Sequence, residues 1–297
     1  MPKIPEALPK QVAPSPRADT NKHDLIETAR GMLFKNTPVE DYLSQFGLYV
    51  KREDLSCPYP GPAFSKTRGV YAHIEKLPHS IIGALDTRHS QAGHAVARAC
   101  QILGKKCYTF YPVYKKDIGP DGDHDLRDPQ LAASTLGSEL YGLPAGRSCI
   151  LFHRAKKEVE AMGGYMMPNA LKLIESVDET ANEVMEDYDY DRVIIPISSG
   201  TIAAGVVKGF KRLGKNPTFI IHLGYSRAHD QVRKYIHNKS GFDDAKLILI
   251  DEKYQYADSS RPGDEPPFPC NIYYDLKAFR WWMENQTSHK TLFWNIG

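Results

Sequence analysis

The sequence predicts an α/β protein built from two open, largely parallel sheets with helices on their faces. Three observations carry this. Residues 67–111 read helix–strand–helix–strand, the alternation of a parallel sheet covered by helices. The same alternation returns between residues 192 and 250, beginning with the apolar run Val193-Ile194-Ile195-Pro196-Ile197. The joints that lead from strand to helix carry small and hydroxyl residues, as at Ser198-Ser199-Gly200-Thr201. In open α/β sheets such joints, at the carboxyl ends of strands, are where ligands bind.

Taken in order, residues 1–22 hold five prolines and no apolar periodicity, which describes a tail without a core of its own. The spacing of Leu25, Ile26, Ala29, Met32 and Leu33 predicts a helix over 23–33, broken at Asn36-Thr37-Pro38. A second short helix is expected over 39–46, ended by Gly47, and a strand over 48–51. After a Pro/Gly loop at 57–62, residues 67–77 place Val70, Ile74 and Leu77 on one helical face. Residues 79–85 read as a buried strand, 91–103 as an alanine-rich helix and 106–111 as a strand. A loop over 112–130 leads to helix 131–136, a short strand at 139–141, helix 154–162 and a second loop at 163–168. Residues 177–188 are amphipathic with acidic residues outward. Then follow strand 192–197, helix 202–213, strand 218–223, helix 227–237 and strand 246–250. A proline-rich loop at 258–269, a helix near 275–285 and a strand at 291–294 close the chain.

Composition narrows the function classes. With 297 residues, 41% hydrophobic and 25% charged, the chain is ordinary for a soluble globular protein. A net charge of +2 gives no electrostatic footprint for nucleic acid or membrane. No run approaches the roughly 20 apolar residues of a membrane span, and the first residues lack a signal peptide's apolar core. Five cysteines without CxxC spacing read as reduced thiols of a cytoplasmic protein, neither a disulfide frame nor a metal site.

Four stretches carry candidate chemistry. Lys66 stands between small residues in Pro62-Ala63-Phe64-Ser65-Lys66-Thr67-Arg68-Gly69, just before a helix. Its plain reading is a solvated helix start. Ser198-Ser199-Gly200-Thr201 offers backbone N–H groups at the positive end of a helix, a phosphate cradle, though taken alone it reads more readily as a serine-rich cap. It is neither a P-loop nor a GxGxxG turn. Ser90-Gln91, before the alanine-rich helix, suits a carboxylate, or Ser90 simply caps that helix. Asn271-Ile272-Tyr273-Tyr274-Asp275-Leu276-Lys277 reads as an acid at a helix start.

In this order the four stretches resemble the fold-type-II pyridoxal-phosphate enzymes, the tryptophan synthase β-like family. The nearest branch is that of 1-aminocyclopropane-1-carboxylate deaminase and D-cysteine desulfhydrase. The residues that carry the resemblance are Val50-Lys51-Arg52-Glu53-Asp54-Leu55, Ser65-Lys66-Thr67-Arg68 and Ser90-Gln91. Leu103-Gly104, Ser199-Gly200-Thr201 with Gly205 and Gly209-Phe210, and Tyr274-Asp275-Leu276-Lys277 complete it. It runs from about Thr37 to the end of the chain.

The resemblance implies pyridoxal 5′-phosphate in the cleft between the two sheet domains. Residues 23–68 and 166–297 would form the larger, cofactor-binding domain, and residues 69–165 a smaller inserted one. Lys66 would form the Schiff base and later move protons at the substrate's Cα. Ser198, Ser199, Gly200 and Thr201 would hold the cofactor phosphate. Ser90 and Gln91 would face the substrate carboxylate or the cofactor's phenolic oxygen. Asp275 would partner the pyridine nitrogen, and Tyr274 would lie over the site as a substrate-facing phenol. The implied activity is that of a lyase or deaminase acting on a small amino acid in a cytoplasmic homodimer.

Ala63-Phe64-Ser65 stands where the family carries Gly-Gly-Asn before its lysine, and Gln91 where it carries asparagine. These departures point to an alternative, the same cofactor used for decarboxylation or group replacement on a larger amino-acid conjugate, for example in phage nucleobase modification. A further alternative is a relative that binds the cofactor without catalysis.

Overall fold

The computed structural model describes residues 20–57, 62, 64–87, 90–115, 118, 125–260 and 266–297. In chain order, α1 (Thr20–Leu33) precedes β1 (Val39–Tyr42), the single turn α2 (Leu43–Phe46) and β2 (Leu48–Arg52). Next come α3 (Thr67–Glu75), β3 (Ile81–Leu85), α4 (Ala92–Leu103) and β4 (Lys106–Val113). They are followed by α5 (Asp128–Thr135), β5 (Glu139–Pro144), α6 (Ser148–Ala161) and β6 (Tyr165–Met166). The second half holds α7 (Ile174–Asn182), β7 (Arg192–Ile197), α8 (Thr201–Arg212), β8 (Thr218–Leu223), α9 (His229–Ser240) and β9 (Leu247–Ile250). The last elements are α10 (Asp275–Glu284) and β10 (Thr291–Asn295).

The chain divides into two compact units. Among the described residues, one takes in those of 20–33, residue 62 and those of 70–171, the other those of 34–57, 64–69 and 172–297. The first contains a four-stranded sheet of order β5-β4-β3-β6, parallel throughout. Leu151, Ala155 and Val159 of α6 pack with Leu85, Tyr108 and Phe110 of its strands.

The second contains a six-stranded sheet of order β1-β2-β10-β7-β8-β9, parallel except where β1 runs antiparallel to β2. Alternate residues of β7 and β8 serve opposite faces, as the period of a strand dictates. Val193, Ile195, Ile197, Phe219, Ile221 and Leu223 join the core of α7 and α8. Ile194 and Ile220 join the core of Phe279 and Trp282 from α10. The two parallel-sheet units have the predicted fold class.

Local expectations shift in three places. Residues 39–46 are not one helix. Val39–Tyr42 pairs with β2 in the register Val39↔Lys51, and only Leu43–Phe46 turns. The helix before Gly163 begins at Ser148 rather than at 154, and the expected loop at 163–168 contains β6, which pairs with β3. The helix expected over 177–188 is α7, displaced toward the N-terminus and ending at Asn182. The next residue, Glu183, instead faces Lys51.

That contact belongs to a buried charge cluster in the second unit. Lys51 on β2, fully buried, donates to Glu183 Oε2 at 2.7 Å. Arg68, two residues after Lys66, donates to Glu53 Oε2 at 2.5 Å and lies 3.4 Å from Glu183 Oε1. The hydroxyl of Thr37 bonds both carboxylates. Buried charges persist only when paired in this way. The cluster ties the start of α3 to β2 and to the end of α7. None of the five cysteines is bridged, and no helix among the described residues is long and apolar enough to cross a membrane.

Candidate active site

Lys66 sits in the turn that opens α3. Both the backbone N–H and the hydroxyl of Thr67 donate to the Phe64 carbonyl, at 3.0 and 2.7 Å, so the turn is pinned on either side of the lysine. The side chain is 9% exposed, which excludes the solvated helix start. Burial, with the positive charge of Lys172 added, lowers its pKa to about 7. Its amine donates to Ser199 Oγ at 3.0 Å.

Ser199 begins the joint between β7 and α8. Its hydroxyl lies 2.9 Å from Thr201 Oγ1, which in turn lies 3.0 Å from the Tyr235 hydroxyl on α9. Gly200 precedes α8 at φ 89°, a left-handed backbone that disfavours every residue with a Cβ. A Cβ there would also meet the Tyr235 ring at 3.2 Å. Gly200 has no side chain to cap α8, and apart from the Thr201 N–H, which reaches Ser199 Oγ at 3.4 Å, the first amides of the helix have no carbonyl within it and point at whatever binds there.

Asp275 opens α10 and is fully buried. Its Oδ1 accepts the Ile296 N–H at 2.8 Å. Its Oδ2 is buried with no hydrogen-bond partner among the described residues. Burial raises its pKa to about 7 against the pull of the Ile296 and Asn271 N–H groups, and the nearby charge of Asp54 adds to the rise. Tyr274 lies against Gly224, at the end of β8, so closely that a Cβ on Gly224 would come within 2.3 Å of its ring. Burial pushes the pKa of its hydroxyl up.

Lys66, Ser198, Ser199, Gly200, Thr201, Tyr274 and Asp275 therefore share one unit, along with Tyr235 and Lys172, which the sequence reading passed over. Ser90 and Gln91 belong to the other unit, at the start of α4. There Ser90 Oγ accepts the Ala92 N–H at 3.0 Å, the capping role. Gln91 occupies the N-cap position, and its carbonyl accepts the Ala95 N–H at 3.1 Å. Asp86 is a third residue that the sequence did not single out. It is fully buried at the end of β3 and accepts the Gly93 N–H at 2.7 Å and the Gln130 amide at 3.3 Å. Burial raises its pKa to about 7 despite these bonds.

Residues 32–240 match the family model described as pyridoxal-phosphate dependent enzyme. A protein of Pseudomonas phage M6, named glycyl-dTMP PLP-dependent decarboxylase, is 47% identical over 282 residues, which cover 90% of this chain and 100% of that protein. Among solved structures, an ACC deaminase homologue superposes with a TM-score of 0.71 at 15% identity, covering 94% of this chain and 95% of its own. The processed form of threonine deaminase isoform 2 from Solanum lycopersicum gives 0.63 at 16% identity, covering 100% of this chain and 94% of its own. At these identities the two structures speak for the fold.

Proposed function

The chain belongs to the pyridoxal-phosphate dependent enzymes, and from that premise we propose that it is a decarboxylase that removes CO2 from a glycyl group carried by a thymidine nucleotide. One observation carries this reading, the 47% identity along the whole length of a phage protein that bears that activity in its name.

The residues fit the cofactor. Pyridoxal phosphate, when bound, supplies an aldehyde that condenses with amines and a ring that draws electrons from bonds at the attached Cα. Lys66 offers the amine, and a pKa of about 7 leaves much of it neutral and nucleophilic at physiological pH. Ser199, Gly200 and Thr201, with Ser198 beside them, would hold the phosphate at the positive end of α8. The unpartnered Oδ2 of Asp275 would accept the pyridine N–H and keep that nitrogen protonated. A carboxylate in that role favours reactions that leave an electron pair at Cα. Loss of CO2 is one of these.

For decarboxylation the chain must orient the glycyl carboxylate and then place a proton on Cα where CO2 has left. Lys66, as the ammonium, would deliver that proton. Tyr274 would flank the reacting carbon. Ser90 and Gln91 would serve the carboxylate from the first turn of α4, with the Ala92 N–H fixing the Ser90 hydroxyl. Residues 23–68 and 166–297 would be the larger domain, holding the cofactor, and 69–165 the smaller, and we expect a homodimer.

The purified protein should be yellow, absorbing at about 410–430 nm, and borohydride should trap a cofactor adduct that Lys66→Ala abolishes. With glycyl-dTMP labelled in its carboxyl group, the holoenzyme should release one labelled CO2 per turnover and keep the amine on the product. Ammonia and a carbonyl product without CO2 would replace decarboxylation by a deaminating lyase reaction.

A further inference from the structure

The loops that follow β8 and β9 hold three tyrosines and an arginine that the steps above leave without a task. We propose that Tyr225, Arg227 and Tyr256 form the nucleotide subsite, with the tyrosine rings against the pyrimidine and the guanidinium on the phosphate. The proposal rests on the decarboxylase reading and names what recognises the part of the substrate that does not react.

The geometry is that of a built platform. The Tyr225 and Tyr256 rings meet edge to face, 5.2 Å apart at 83°. The Arg227 guanidinium lies 5.3 Å from the centre of the Tyr225 ring. Tyr256 is 40% exposed, and Tyr225 and Arg227 are half-buried. Rings of this size left open to water offer a flat apolar face, and each nucleobase has a complementary one. A guanidinium beside them supplies the planar donors that match a phosphate.

The two loops are fixed to each other. The Ser226 N–H donates to the Tyr254 carbonyl at 2.8 Å. Asp251 accepts from the Ser226 hydroxyl at 2.8 Å, from the Lys253 N–H at 2.9 Å and from the Lys253 amine at 3.0 Å, and it contacts His229 at 3.0 Å. Burial opposes ionisation there, but these donors prevail and hold its carboxyl well below the usual range, so its charge is already engaged within the loops. Lys253 takes a φ of 64°, unusual for a residue with a side chain, and Asp251 holds it there. Beneath the platform, fully buried Lys277 donates to the Gly224 carbonyl at 2.7 Å and stands 4.3 Å over the Tyr254 ring. Such bracing is what a binding surface needs and what an idle loop does not.

The platform is also continuous with the reacting end. Gly224, next to Tyr225, packs against the Tyr274 ring and donates its N–H to the carbonyl of Ile197, which precedes Ser198, at 3.0 Å. Ser198 adjoins Ser199, which receives the Lys66 amine. A substrate whose amino-acid part reaches Lys66 can therefore rest its base on the tyrosines.

The test titrates the cofactor-loaded protein with dTMP and with thymidine by calorimetry. Arg227→Gln should weaken dTMP by about tenfold or more while leaving thymidine nearly unchanged, the signature of a lost charge-assisted bond. Tyr256→Ala should weaken both by about tenfold. The visible absorbance of each variant reports that it is folded and loaded. In turnover of glycyl-dTMP both variants should raise KM and largely keep kcat. Wild-type protein that binds neither dTMP nor thymidine overturns the subsite, as do variants that bind dTMP like the wild type. CO2 release with KM unchanged in both variants removes the subsite and leaves the decarboxylase standing. Arg227-dependent dTMP binding in a protein that releases no CO2 keeps the subsite and removes the decarboxylase.

Discussion

At the scale of single residues, the site turns on two buried ionisable groups that have been pushed toward each other's range. Lys66 is lowered to about 7 and Asp275 raised to about 7, each chiefly by burial. For the lysine this is useful in itself, because a neutral amine is the reactive form. For Asp275 the raised value marks a carboxylate held out of water with one oxygen unpartnered. A protonated ring nitrogen would partner that oxygen and return the acid to its charged form. Asp275→Asn keeps the shape and removes the charge. The cofactor should still bind and colour the protein, while CO2 release should fall by about a hundredfold or more, the scale of losing one preorganised electrostatic partner. Unchanged turnover in that variant would take Asp275 out of the mechanism.

At the scale of elements, the β7–α8 joint does the most. β7 is a buried strand in the middle of its sheet, so its end is fixed, and α8 must start at once to cover it. Gly200 is the hinge that permits this, at φ 89°. Gly200→Ala would place a Cβ in a left-handed conformation, a strain of about 1–2 kcal/mol, and 3.2 Å from the Tyr235 ring. The expected result is a weaker hold on pyridoxal phosphate, read as a raised dissociation constant in a spectroscopic titration, with the fold retained by circular dichroism. Cofactor affinity equal to wild type would mean that the turn does not hold the phosphate.

The same joint shows what a sequence reveals at this scale. A run of apolar residues passing into Ser-Ser-Gly-Thr can hardly be anything but a buried strand meeting a helix start, so this joint is legible from the chain alone. Tyr235 is not, because its hydroxyl reaches Thr201, 34 residues away, only after α9 has packed beside α8. Residues 39–46 mislead for a similar reason. Val39, Tyr42, Leu43 and Phe46 have helical spacing, but pairing with β2 satisfies the backbone of the first four and overrides it. Asp86 leaves no signal either, since an acid after a strand reads as a turn until the sheet buries it.

At the scale of the whole molecule, the shifted groups make stability depend on pH in a particular way. Asp86 and Asp275 bind protons more tightly in the folded chain than in the unfolded one, with values near 7 against a normal 3.8. Between those values the folded state holds more protons, so stability is full below about pH 4 and falls as the pH rises to about 7. Lys66 acts in the opposite sense. Its folded value of about 7 lies below the normal 10.5, so the unfolded state holds more protons in between and stability climbs from about pH 7 upward. For these three groups together, the cofactor-free protein carries its greatest electrostatic burden near pH 7. Bound cofactor would engage Lys66 and partner Asp275, relieving both at once, on top of the ordinary gain from ligand binding. Calorimetry of the two forms across pH 5 to 9 should therefore find the difference in Tm between cofactor-loaded and cofactor-free protein largest near pH 7. Asp275→Asn should flatten the acid side of that difference and leave the alkaline side, which belongs to Lys66, in place. A difference that is flat across the range in the wild type would show that neither group meets the cofactor in the way assigned to it.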